Sequence, residues 1–90
     1  MQVLHPRCAG LDVHKDVVVA CVRLVEAGRV HQEIRKFGTR TAELMLLSEW
    51  LTESRCSHVA MEATGVYWRP VWHVLEGDFE LVLARPIHEK

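Results

Sequence analysis

Short aliphatic runs, each ending at a charged or turn-forming residue, alternate along this chain with two stretches of helical spacing. Cys8 to Val13 is an apolar run closing on an acid, Asp12, and predicts a buried strand. Asp16 to Val25 predicts a second strand. Its Val17-Val18-Val19 run and the later Val22, Leu24 and Val25 are apolar on both faces, which suits the interior of a sheet. Glu26-Ala27-Gly28-Arg29 predicts a hairpin turn, with Gly28 free to take positive φ. Val30 to Phe37 follows as a strand polar enough for a sheet edge, carrying His31, Gln32, Glu33, Arg35 and Lys36.

Gly38 and Thr39 break this pattern. Thr39 or Thr41 can cap a helix whose first turn holds Glu43, a favourable charge for the helix dipole. Leu44, Leu47 and Leu51, with Met45, Leu46 and Trp50, form a broad apolar stripe ending near Ser54. His58 to Glu62 predicts another buried strand that ends in an acid, and Thr64-Gly65 turns the chain. A second helix is expected from Trp68 to Glu76, with Pro70 tolerated in its first turn and Gly77 closing it. Phe79 to Ala84 gives a last strand. The order β-β-β-α-β-α-β implies an α/β fold: an antiparallel meander of three strands, then helical crossovers adding parallel ones. With the first strand central, connections diverge at its carboxyl end, which is where open α/β sheets place their sites. Asp12 and Glu62 both fall at such ends.

Composition narrows the class. Ninety residues make one domain, and 49% hydrophobic residues are enough for a core. No run approaches the ~20 apolar residues of a membrane span, and residues 1–7 lack the features of a secretory signal, so an intracellular, cytoplasmic protein is expected. Cys8, Cys21 and Cys56 show no CxxC spacing, and all three are expected as small buried hydrophobes. The histidines lack HxxxH or HExxH spacing, which argues against zinc. A net charge of −1 offers no basic surplus for gripping nucleic acid.

The two acids carry the chemical signal. If their strands are neighbours, about 4.8 Å apart, the carboxylates repel unless a proton or cation is shared between them. Carboxylate oxygens suit hard cations such as Mg²⁺ and Mn²⁺, and a metal pair can stabilise both the attacking and the leaving oxygen of a phosphodiester. Each acid also has a plainer reading as a turn or capping residue. His14 and Lys15, beside Asp12, could face a phosphate or simply be solvated; Asp16 reads as a turn residue. Tyr67, Trp68 and Trp72 could stack on bases, although two tryptophans four apart on a short helix suit core packing. Arg40 and Arg69, near helix starts, are phosphate contacts or solvated charges.

The segments Gly10-Leu11-Asp12-Val13-His14-Lys15 and Met61-Glu62-Ala63-Thr64-Gly65-Val66-Tyr67-Trp68 resemble the two signatures of the DEDD transposases of the IS-one-ten insertion-sequence family. Phe37-Gly38-Thr39, the leucine-rich helix and His58-Val59-Ala60-Met61-Glu62 match that family in order and spacing, so the resemblance spans essentially the whole chain. It implies an RNase H-like fold of the RuvC type, a four-acid site for Mg²⁺ or Mn²⁺, and cutting and joining of DNA during transposition. Asp12 matches the first acid and Glu62 the second. It also implies a structured noncoding RNA as a partner, a homo-oligomer, and a nucleophilic serine in a further domain. The family's other two aspartates follow the position of His88-Glu89-Lys90, and Glu89 matches neither. Residues 1–90 are thus expected to be an incomplete RuvC-like domain, ending before the final helices and inactive alone. Two rival readings are an ATP-binding domain of the actin/sugar-kinase type, which shares this topology but places glycine where Val13-His14-Lys15-Asp16 stand, and a non-catalytic assembly module.

Overall fold

A computed structural model describes residues 7–84. Residues 1–6 and the segment holding His88, Glu89 and Lys90 lie outside the described residues. The elements are β1 (Arg7–Val13), β2 (Val17–Glu26), β3 (Arg29–Gly38), α1 (Thr41–Glu53), β4 (His58–Ala63), α2 (Trp68–Leu75) and β5 (Glu80–Ala84). The order is the one that hydrophobic patterning predicts. The strands form one sheet in the order β3-β2-β1-β4-β5. β2 pairs antiparallel with both β1 and β3, whereas β4 pairs parallel with β1 and β5 parallel with β4. Backbone alternation sorts their side chains: Leu11, Val13, Val18, Ala20, Val22, Val59 and Met61 all point to one face and are almost wholly buried.

Both helices contribute to that buried side. α1 packs beside α2 and towards β3, and α2 contacts β4. Leu44, Leu47, Trp50 and Leu51 of α1 and Val71 and Leu75 of α2 supply the helical half of the core. The stripe is narrower than the sequence suggests, since Met45 and Leu46 sit on the solvent side and are about half exposed. The opposite face of the sheet carries no helix among the described residues. β2 is an interior strand but is buried on one face only, Val17, Val19 and Cys21 being half-buried. Cys8 is likewise half-buried, and only Cys56 meets the expectation of full burial.

The ends of the helices depart from expectation in instructive ways. Neither Thr39 nor Thr41 caps α1. The cap position is Arg40, without a side-chain bond. Thr39 instead donates its hydroxyl to the Lys15 carbonyl, 3.1 Å away, and Glu43 reaches back to accept the Gly38 amide at 3.1 Å. A Cβ on Gly38 would come within 3.1 Å of the Glu43 side chain, so a glycine suits this close approach. At the other end of α1, Cys56 N–H donates to Leu51 O and Arg55 N–H to Thr52 O. That is the pattern of a Schellman cap, with Arg55 at φ 60° in the left-handed position that glycine normally fills. α2 does not end on a left-handed Gly77. Asp78 and Phe79 both donate to the Leu75 carbonyl and turn the chain into β5.

Candidate metal centre

β1 and β4 bring the two acids together. Asp12 and Glu62 are direct partners in the parallel register, so their Cα atoms stand at the same height on adjacent strands. Alternation fixes their direction. Leu11 and Val13 flank Asp12 and are buried, and Met61 and Ala63 do the same for Glu62. Both carboxylates therefore point to the helix-free face, near the carboxyl ends of β1 and β4, and are exposed.

The turn after β1 closes tightly, with the His14 amide donating to the Val17 carbonyl at 2.9 Å. This folds the His14 ring back over the acid, its Nε2 3.0 Å from Asp12 Oδ2. Lys15, next in the turn, is exposed, and its carbonyl is tied to Thr39. Tyr67 stands exposed just before α2. The guanidinium of Arg69 lies 5.7 Å from the centre of the Trp68 ring, and Trp68 meets Trp72 edge-on at 5.8 Å. These residues belong to a different place: Trp68, Arg69, Trp72, His73, Glu76 and Leu83 line an open cleft of about 540 Å³ that neither acid borders. Both tryptophans are partly buried against the core.

Patterning does not single out Lys36, yet the register does. Lys36 pairs with Val19, Val19 with Asp12 and Asp12 with Glu62, so one transverse row on the open face runs from an exposed lysine to both acids. Counting back from the Ala27-Gly28 turn sets Lys36 opposite Val19, because a two-residue loop sets every pair of the hairpin, but the step from Val19 to Asp12 needs the β1–β2 register as well.

The donor set suits a small hard cation. Among the described residues no group of three or more His, Cys, Asp or Glu side chains gathers, so a cage made entirely of protein is absent there. Mg²⁺ seldom uses one; it keeps several waters and takes one or two carboxylates plus a substrate phosphate. Two exposed carboxylates in register, with open space before them, fit that mode.

A five-stranded mixed sheet in this order, with acids at the carboxyl ends of its central parallel pair, defines the RNase H-like fold of the RuvC type. The fold is similar to that of the fowlpox virus resolvase, solved as a complex with Holliday junction DNA (TM-score 0.64, 11% identity, 93% of this chain and 63% of that one). It is similar to Thermus thermophilus RuvC (TM-score 0.62, 18% identity, 89% and 64%). An exopolyphosphatase from Cytophaga hutchinsonii shares it at a TM-score of 0.59 and 11% identity, over 88% of this chain and 34% of that one. In each case the chain spans less than two thirds of the other protein's length. Among curated proteins no relative matches the sequence. The DEDD transposase model of the IS-one-ten type matches residues 9–90, and the chain belongs to that transposase family.

Proposed function

We propose that this chain is the amino-terminal part of a metal-dependent DNA transposase, with Asp12 and Glu62 as catalytic carboxylates that hold Mg²⁺ or Mn²⁺ against a DNA phosphodiester. The observation that carries the reading is the in-register placement of the two acids on the open face. Family membership supports it independently. When bound, the divalent cation supplies Lewis-acid polarisation of a phosphoryl oxygen and activation of water. The protein's share is to fix where that happens. Asp12 and Glu62 hold the centre, and His14 keeps one oxygen of Asp12 engaged and orients the carboxylate. Lys36 and Lys15 meet neighbouring phosphates, which compensates for a chain with net charge −1. Tyr67 and Arg69 act beyond the centre as nucleic-acid contacts. A noncoding guide RNA, a homo-oligomer and a cytoplasmic, nucleoid-associated setting complete the reading. No helix among the described residues is long and apolar enough to cross a membrane.

The ATP-binding alternative gains no support from the first turn, where the His14 amide is already committed to Val17 and no residue takes positive φ.

Two carboxylates leave most of a cation's coordination to water and substrate, so residues 1–90 alone should bind metal weakly and not turn over. Mn²⁺ titration followed by electron paramagnetic resonance tests this. Asp12→Asn and Glu62→Gln should each weaken binding roughly tenfold or more. Equal binding by the double variant would remove the site. Cleavage of supercoiled DNA by residues 1–90, abolished by Asp12→Asn, would refute the expectation of inactivity while upholding the site.

A further inference from the structure

β3 forms one edge of the sheet, and its outer rim has no neighbouring strand among the described residues. Natural edges are usually shortened, broken by proline, bulged, or guarded by charge. β3 has ten residues, no proline, and an unbroken register with β2 from Arg29 to Gly38. Charge is its only guard.

The hairpin decides which of its backbone groups are free. Ala27 and Gly28 both take positive φ, 50° and 79°, as the two central residues of a type I′ turn do. In such a turn the flanking pair, Glu26 and Arg29, exchanges both backbone hydrogen bonds. Alternation then aims the amides and carbonyls of Arg29, His31, Glu33 and Arg35 at β2. Those of Val30, Gln32, Ile34 and Lys36 point outward.

The charges on this rim complement themselves. A second β3 laid antiparallel with Ile34 opposite the partner's Ile34 places Glu33 opposite the partner's Arg35, and Arg35 opposite the partner's Glu33. Gln32 then faces the partner's Lys36, so no like charges meet in these central pairs. Arg35 is already held for this: it bonds Glu33 at 3.2 Å and its guanidinium lies 5.0 Å from the centre of the Trp50 ring. On the open face Ile34 is 64% exposed and Val30 51%, and pairing would cover part of both.

We propose that β3 is a self-pairing edge, at which a second copy of this chain adds its own β3 antiparallel about Ile34 and joins the two sheets into one. Cross-strand ion pairs set the register and outward backbone groups supply the ladder.

Sedimentation equilibrium of the 90-residue chain over a concentration series tests this, with circular dichroism confirming the fold of each variant. The wild type should dimerise. Glu33→Arg, which sets two arginines against each other twice by symmetry, should weaken dimerisation roughly tenfold or more. Combining it with Arg35→Glu should restore the affinity. Ile34→Pro removes an outward amide while sparing the ladder to β2, as proline is tolerated at such edge positions, and should leave a folded monomer. If that variant unfolds, the charge swap alone decides. A wild type that stays monomeric at the highest concentration would overturn the proposal, as would a folded charge-swap variant that fails to regain affinity. Dimerisation unaffected by folded Ile34→Pro would also overturn it, because another surface would then be responsible.

Discussion

The two faces of the sheet are built from the same strands and differ by one position at every step. On the helix side stand Leu11, Val13, Ala20, Val22 and Met61, each at most 3% exposed. On the other side the same strands present Gly10, Asp12, Cys21, Ala60 and Glu62. These covered positions are apolar throughout, whereas the open face sets small and charged residues beside aliphatic ones such as Val19 and Ile34. The core residues and the two acids are thus separated by the strand's period of two. The open face can hold two adjacent acids because the covered face supplies the burial that keeps β1 and β4 side by side.

This separation predicts unequal responses to substitution. The largest effect belongs to the covered face. Leu47 is fully buried, and Leu47→Ala should cost about 2–5 kcal/mol in urea unfolding. A loss below about 1 kcal/mol would mean that the core collapses around the gap and is not packed as described.

The second effect is in pH, and it too comes from the buried side. Burial pushes the Cys56 thiol up from 9.0 to about 11, with the neighbouring Cys8 adding to the shift and Arg7 opposing it. Burial also raises Cys8, against the lowering influence of Arg23. Because the folded values lie above the unfolded ones, the folded chain retains protons that the unfolded chain releases. Stability from this source is whole below pH 9.0 and is lost as pH rises towards 11. Melting temperature measured across that range should fall, and Cys56→Ala should flatten the decline. A decline of the same slope in that variant would clear Cys56 of responsibility.

The smallest effect belongs to the open face. A Cβ at Gly10 would meet nothing within 4 Å, and glycine within a strand costs about 0.5–1 kcal/mol in chain entropy. Gly10→Ala should therefore leave stability unchanged or raise it slightly in the same unfolding assay, one residue away from Leu11, which is 3% exposed. Destabilisation by more than about 1 kcal/mol would show that the open face is packed against something.

Much of this was legible in the sequence because its segments are short and strongly patterned. All seven elements and their order follow from aliphatic runs, the Ala27-Gly28 turn and the leucine spacing of α1. The fold class followed from that order and from the resemblance carried by the GLDVHK and MEATGVYW segments. The juxtaposition of Asp12 and Glu62 required only that β1 be central. Other features depend on contacts that no local pattern encodes. β2 is aliphatic on both faces, so its sequence could not say which face the helices would cover. Thr39 was drawn away from capping by the carbonyl of Lys15, twenty-four positions distant. Arg55 holds a left-handed cap position that its own propensity opposes, because Leu51 and Cys56 are buried on either side of it. Lys36 joins the row of acids through two strand registers in succession.

The register that unites Asp12 with Glu62 also sets when they meet. The β2–β3 hairpin closes across two residues, whereas the β1–β4 pair must draw together positions fifty apart in the chain. Loop-closure entropy makes the first event local and quick and holds the second back until the intervening hairpin and α1 have taken shape. On the folding route the acidic pair is therefore expected to assemble late, the two carboxylates standing apart in a half-folded chain.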